Sequence, residues 1–306
     1  MKDNNMMIMR NIEHLGERYC KRYLDDTWKK ESLENDWWDA LKFFFSHSFM
    51  RGRRDKLSNE YYIFTIKTLE DYFSITTKNL DVSYENLKKQ KKHFDKECIL
   101  KFRKDKKIRN SIKDQDFEKE IAEKNPIVKV LFTQREVKVK WEDITRDKNI
   151  HLGNDEDIMM VLDVLKFIAD GRKNIYNSLL DIIINSGVEK AHNELIVVRA
   201  IGNKIAPFII RDIVLMNSKI KIADEDYKFA FPVDTWVIKI ANKLGCSSTS
   251  IEEIKNYLIN KCKESGVEPL KFAAGLWYLG FHSLDILLED CLGRIEIGSI
   301  ASVNSR

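Results

Sequence analysis

Along this chain the apolar positions fall mostly three and four residues apart, the repeat that lines one face of an α-helix. In "WWDALKFFFSHSFM", Trp37 to Met50, that repeat puts Leu41, Phe44, Phe45, Ser48 and Phe49 on one side. "RGRRD" interrupts it, with Gly52 inside, and "KLSNEYYIFTIKTLEDYF" resumes it through Leu57, Tyr61, Phe64, Ile66 and Leu69. Ser58, followed by Asn59 and Glu60, is of the type that caps a helix start. From Asp155 to Val198 the helical spacing returns, broken at Gly171 and Gly187. One segment departs from this repeat. "NPIVKVLFTQREVKVKW", Asn125 to Trp141, ends in apolar–polar alternation, which predicts a short strand or hairpin. Residues 1–36 are charged and read as helical, and the tail "GSIASVNSR" reads as frayed.

"IVVRAIGNKIAPFIIRDIVLMN", Ile196 to Asn217, reads as helix, tight turn, helix. Ala191, Leu195 and Val198 form one apolar face; Ile205, Phe208, Ile209, Ile213 and Met216 form the next. Asn203 is a good capping type, and Pro207 falls in or just past the first turn, where its missing N–H is least harmful. The free N–H groups of a helix start attract anions, so a phosphate suits this place; an ordinary helix corner with a surface lysine at 204 accounts for the same pattern. Further on, in "FAFPVDTWVIKIANKLG", Pro232 stops one pattern and Asp234 stands at the cap position of another. Trp236, Val237, Ile240, Ala241 and Leu244 give its expected buried face. A carboxylate so placed stays ionised, because the helix dipole favours its charge.

Composition adds bounds. With 306 residues, 43% of them hydrophobic, and only four prolines and twelve glycines, the chain is long enough for a substantial core and mostly α-helical in character. The net charge of +4 is compatible with nucleic acid without requiring it. Lys88 to Lys113 carries twelve Lys/Arg against three Asp/Glu, a solvated face or a phosphate-facing surface. The five cysteines are scattered, without C-x-x-C, and the six histidines lack ligand spacing; this is the pattern of reduced thiols without a metal centre. There is no signal-peptide block and no apolar run of about twenty residues, so a soluble, cytoplasmic protein is expected.

"AIGNKIAPF" followed by "PVDTWVIKIANKLG" resembles the helix-hairpin-helix DNA glycosylases, whose hairpin reads roughly L-P-G-V-G-x-K-x-A and is followed by V-D-x-x-V at a helix start. Lys204 falls on the lysine of the bifunctional members, Asp234 on the catalytic aspartate and Gly202 on the second hairpin glycine. Arg199 stands where that pattern has proline, and Ala200 where it has the first glycine. The interval from Lys204 to Asp234 is long beside endonuclease III and the eukaryotic 8-oxoguanine enzymes, and closer to the archaeal 8-oxoguanine (GO) DNA glycosylase/AP lyase branch. "VEPLKFAAGLWYLGF" resembles that branch's P-L-H-x-D-x-x-L-W-x-x-G segment, placing Trp277 on its base-pocket tryptophan and Ala273 where it has aspartate. The resemblance covers about residues 190 to 285 and extends more loosely to "LKFFFSHSFMRGRRD".

The resemblance implies an all-α fold of two helical lobes with the hairpin at the cleft: a helical extension over 1–36, lobe A from about 1–55 with 235–306, and lobe B from about 56–234, with the hairpin at 190–217. It implies a monomer acting on double-stranded DNA with a damaged base, nucleoid-associated when bound, with no membrane. A monovalent cation at the hairpin is the only cofactor it suggests, and the lack of a four-Cys cluster excludes the iron–sulfur branch. Such enzymes flip the nucleotide out of the duplex. The Lys204 amine, its pKa lowered at a helix start, would attack the anomeric carbon and leave a Schiff base; Asp234 would take the amine proton and hold the positive charge developing on the sugar. Trp277 and Phe281, four apart on one helix face, would form the base pocket or simply core. Gly202 and Asn203 would contact the backbone. Arg51, Arg53 and Arg54 would fill the gap left by the flipped base or remain a solvated loop. His47 reads as a core or helix-face histidine. Other readings are a glycosylase for another lesion, a non-catalytic DNA-binding module and a helical scaffold for proteins.

Overall fold

The computed structural model describes residues 2–51, 55–107, 114–141, 144–283 and 286. It is predominantly helical, with one two-stranded sheet among the described residues. In chain order the main elements are α1 (Lys2–Tyr19), α2 (Trp37–Ser48), α3 (Asp55–Phe73), α4 (Leu80–Lys89), α5 (Glu97–Lys106), α6 (Pro126–Phe132), β1 (Arg135–Trp141), β2 (Ile144–Ile150), α7 (Asp155–Ala169), α8 (Ile175–Ser186), α9 (Val188–Leu195), α10 (Ile205–Leu215), α11 (Thr235–Lys243), α12 (Ile251–Ser265) and α13 (Pro269–Phe281). No helix among the described residues is long and apolar enough to cross a membrane.

Backbone packing divides the chain into Trp28–Ile213 and a unit joining Met1–Thr27 to Val214–Arg306. The expected lobes met near residues 55 and 235; here α2 packs with the middle of the chain. In Trp28–Ile213, Asp36 caps α2 by accepting from the N–H groups of Trp38 and Asp39 at 2.7 and 3.2 Å. The aromatic run of α2 is buried on more than the one expected face, Trp37, Trp38 and Phe43 included. α3 begins at Asp55, so Ser58 lies within the helix, buried, and caps nothing. α6 starts as its sequence dictates: Asn125 accepts from Ile127 and Val128, and Pro126 occupies the first turn, where no N–H is needed.

The alternating segment forms a hairpin. β1 pairs antiparallel with β2, from Arg135 opposite Ile150 to Trp141 opposite Ile144. Val137 and Val139 turn inward while Glu136, Lys138 and Lys140 are exposed, the period of a half-buried strand. α7 and α8 begin on the caps Asn154 and Asn174. The Asn174 side chain also donates to the Leu33 carbonyl at 2.7 Å, tying in the short helix Lys30–Asn35. Gly187, at φ 89°, separates α8 from α9.

In the second unit α1 is part of the core. Met9 and Ile12 pack with Phe231, Val237, Leu258, Phe272 and Leu276. α1 and α13 meet backbone to backbone through two glycines. A Cβ on Gly16 would stand 1.9 Å from the Lys271 carbonyl oxygen, and one on Gly275 1.8 Å from that of Ile12. Only a residue without a side chain permits so close a crossing. A π-helical turn, Cys20–Asp25, continues α1.

Candidate functional site

Residues 196–204 join α9 to α10 as two successive turns. Val198 and Ile201 N–H groups donate to the Leu195 and Val198 carbonyls, and the Gly202 carbonyl accepts from Ile205 and Ala206, both at 3.0 Å. The left-handed residue is Ala200, at φ 63°, rather than Gly202. An L-residue there is strained by about 1–2 kcal/mol, so other contacts must hold the turn. Asn203 is exposed and caps no helix; Lys204 immediately precedes α10. Lys204 is half-buried and makes no hydrogen bond or ion pair among the described residues. Pro207 is the third residue of α10.

Arg199 supplies the holding contacts. Its guanidinium grips Glu156 through two bonds of 2.6 Å, and its backbone N–H donates to Asp163 at 2.8 Å. Lys96 pairs with the same Asp163, and Arg103 reaches Asp155 at 2.7 Å and Glu156 at 2.8 Å. Burial alone would raise the Glu156 carboxyl, but hydrogen bonds and charge from Arg199 and Arg103 outweigh it and hold the group below its ordinary pKa. The turn borders an open groove of about 450 Å³ lined by residues 196–202, Lys96 and Glu156. Its two cations thus have carboxylate partners, while Ile196 and Val197 on its rim are exposed, at 41% and 70%.

Arg51 was expected at DNA but pairs with the fully buried Asp157, and its own side chain is 15% exposed. Arg53 and Arg54 lie outside the described residues. His47 is a core histidine. Its Nε2 lies 2.8 Å from Asp212 Oδ2 and its Nδ1 2.8 Å from the Phe43 carbonyl oxygen, so both ring nitrogens face acceptors. Arg211 Nε donates to Asp212 Oδ1 at 2.7 Å, and its guanidinium lies 4.6 Å from the centre of the Phe208 ring. All three side chains are buried, Arg211 and Asp212 completely. Sequence reasoning missed this network. Its one signal was the adjacent Arg-Asp inside the apolar run "PFIIRDIVL".

Lys204 belongs to Trp28–Ile213 and Asp234 to the other unit, so each is placed within its own. Asp234 is the expected cap: half-buried at the start of α11, it accepts from Trp236 N–H at 2.9 Å and Val237 N–H at 3.0 Å. Trp236 departs from expectation. It was placed on the buried face but is 46% exposed. On α13, Trp277 and Phe281 do share a face, stacked at 5.0 Å and 9°. Tyr19 and Tyr23 meet the Trp277 ring edge-on at 5.5 and 5.2 Å, and the Tyr23 hydroxyl is 2.6 Å from His282 Nε2. Phe281 therefore covers part of Trp277, and Ala273, one turn back, is buried with nothing polar to offer.

Among the described residues no three His, Cys, Asp or Glu side chains gather as a metal site. No family model, no curated protein and no solved structure matches the chain.

Proposed function

We propose that this chain is a DNA glycosylase with AP lyase activity, of the helix-hairpin-helix kind, acting on an oxidised purine. The observation that carries the reading is Lys204. In a unit where Lys96, Arg103, Arg199 and Arg51 are all held by carboxylates, it alone of the cations in or beside the 196–204 turn keeps a half-buried amine without an acid partner among the described residues. A nucleophilic amine gains from having no carboxylate beside it, because an ion pair favours the ammonium. Asp234 adds support, since two backbone N–H groups fix its carboxyl at the start of α11.

The chemistry is then as follows. The unprotonated Lys204 amine forms a bond to the anomeric carbon of a flipped nucleotide, while the bond to the base breaks and the base leaves with its electron pair. Asp234 stabilises the cationic sugar and accepts the proton lost by the amine. Ring opening gives a Schiff base, from which β-elimination expels the 3′ phosphate. The choice of 8-oxoguanine rests on "PLKFAAGLWYLG" and on the long Lys204–Asp234 interval. With alanine at 273, the polar contact that selects this base over guanine must come from elsewhere, because stacking on Trp277 does not discriminate.

The test is borohydride trapping on duplexes that each carry a single lesion. Wild type should form a covalent adduct, and Lys204→Gln should form none while still binding DNA. Undiminished trapping in that variant rules Lys204 out. Asp234→Asn keeps a good cap, so stability should change by well under about 1 kcal/mol while excision falls by orders of magnitude. DNA binding by wild type with no trapping on any lesion would favour a non-catalytic binding module. A rate on an oxidised pyrimidine equal to that on 8-oxoguanine would overturn the lesion assignment.

A further inference from the structure

Trp236 is the second residue of α11 and, among the described side chains, no other tryptophan is so open. Its indole is half in water and is also held in place. A Cβ on Gly280 would stand 2.7 Å from its Cγ and 2.9 Å from its Cδ1, so α13 leaves a one-residue notch in which the edge of the ring sits. The backbone N–H of Trp236 donates to Asp234, which fixes ring and carboxylate to one helical turn. Lys239, one turn further along, is exposed and holds its ammonium 4.6 Å from the ring centre. A planar π surface, a mobile cation and a fixed carboxylate thus share one helix start. These match the parts of a nucleotide taken out of the stack: base, phosphate and sugar.

We propose that Trp236 and Lys239 bind one unstacked nucleotide of DNA, the indole stacking on its base and the Lys239 ammonium leaving the ring for a neighbouring phosphate. This rests on the DNA reading above and assigns to that function a contact that the Trp277 segment does not supply. The stack is indifferent to which base it meets, since every base has a π-face. It holds an extruded nucleotide, or the orphaned partner opposite, without choosing the lesion.

The probe is a duplex with one unpaired nucleotide, compared with the same duplex fully paired, by equilibrium binding across a salt series. Wild type should prefer the unpaired duplex. Trp236→Ala should lose that preference, binding the unpaired duplex roughly ten- to a hundredfold more weakly. Trp236→Leu keeps an apolar contact at Gly280 but has no π-face, so it should fold as wild type does and show the same loss; Trp236→Phe should retain most of the preference. Lys239→Ala should weaken both duplexes and flatten the salt dependence by about one phosphate contact. An unchanged preference in a folded Trp236→Leu protein overturns the inference, as does a wild type that binds both duplexes equally, and in either case DNA binding itself stands. A wild type that binds neither duplex removes the DNA reading, and the inference with it.

Discussion

In Trp28–Ile213, charge goes to the inside. Arg211 and Asp212 are fully buried against His47, and the first turn of α7 draws Arg51, Arg103 and Arg199 onto Asp157, Asp155 and Glu156. In the unit of Met1–Thr27 and Val214–Arg306, the tightest contacts are instead between bare backbones, at Gly16 and Gly275. The first arrangement fails when one atom of a pair is removed, because its partner is left charged and dry. The second fails when an atom is added, because there is no room for it. Deleting charge should therefore harm one unit, and adding a methyl the other.

The largest effect is expected from Asp212→Ala. It strands Arg211 and His47 without their carboxylate, and urea denaturation should show a loss of about 3–5 kcal/mol. A loss below about 1 kcal/mol would mean that water reaches the pair and that the contrast between the units is false. Next is Gly275→Ala, whose methyl meets the Ile12 carbonyl; α1 and α13 must separate, at a cost of about 1–3 kcal/mol by thermal or urea unfolding. A neutral result would show that the crossing yields easily.

The smallest effect is a difference in acid response. Asp212 would be raised by its burial, but the Arg211 charge and the His47 hydrogen bond hold it low; Glu156 is held low in the same sense by Arg199 and Arg103. A depressed carboxyl stabilises fully above its unfolded pKa, near 4, and loses that contribution as pH falls through the folded value. Asp155, raised by burial, offsets part of this. In the other unit Glu268, the α13 cap, is raised by burial despite accepting from Lys271 and Leu270. A raised carboxyl acts the other way, favouring the folded state most below its unfolded pKa. On acidification below about pH 4, amides of α10 should therefore lose hydrogen-exchange protection before those of α13. The reverse order would overturn the charge comparison.

How far the sequence could be read follows the range of each interaction. The Asp234 cap, the breaks at Gly171 and Gly187 and the β-hairpin are local, decided within a few residues, and were legible. Ser58 and Asn203 are good capping types that cap nothing, because α3 begins earlier and α10 later than either needs. Arg199 at the turn took its meaning from Glu156, 43 positions away, and Arg51 from Asp157. Trp236 sits correctly on the helical wheel for burial; what exposes it is how it meets α13, where only the edge of the indole fits over Gly280. Periodicity gives a helix its apolar side, but the neighbour decides how much of that side is covered.

The crossing of α1 with α13 also has a consequence for synthesis. Tyr23, in the turn that continues α1, and His282, just past the end of α13, are bonded to each other and 259 positions apart. At about 5–20 residues per second, a ribosome needs on the order of 10–50 s to make the second after the first. Trp28–Ile213 is continuous and is finished well before the chain's last helices. Through that interval the apolar side of α1, with Met9, Ile12 and Tyr19, is without its partner. Of the described helices the one made first is thus among the last to find its place, a natural client for a chaperone waiting at the tunnel exit.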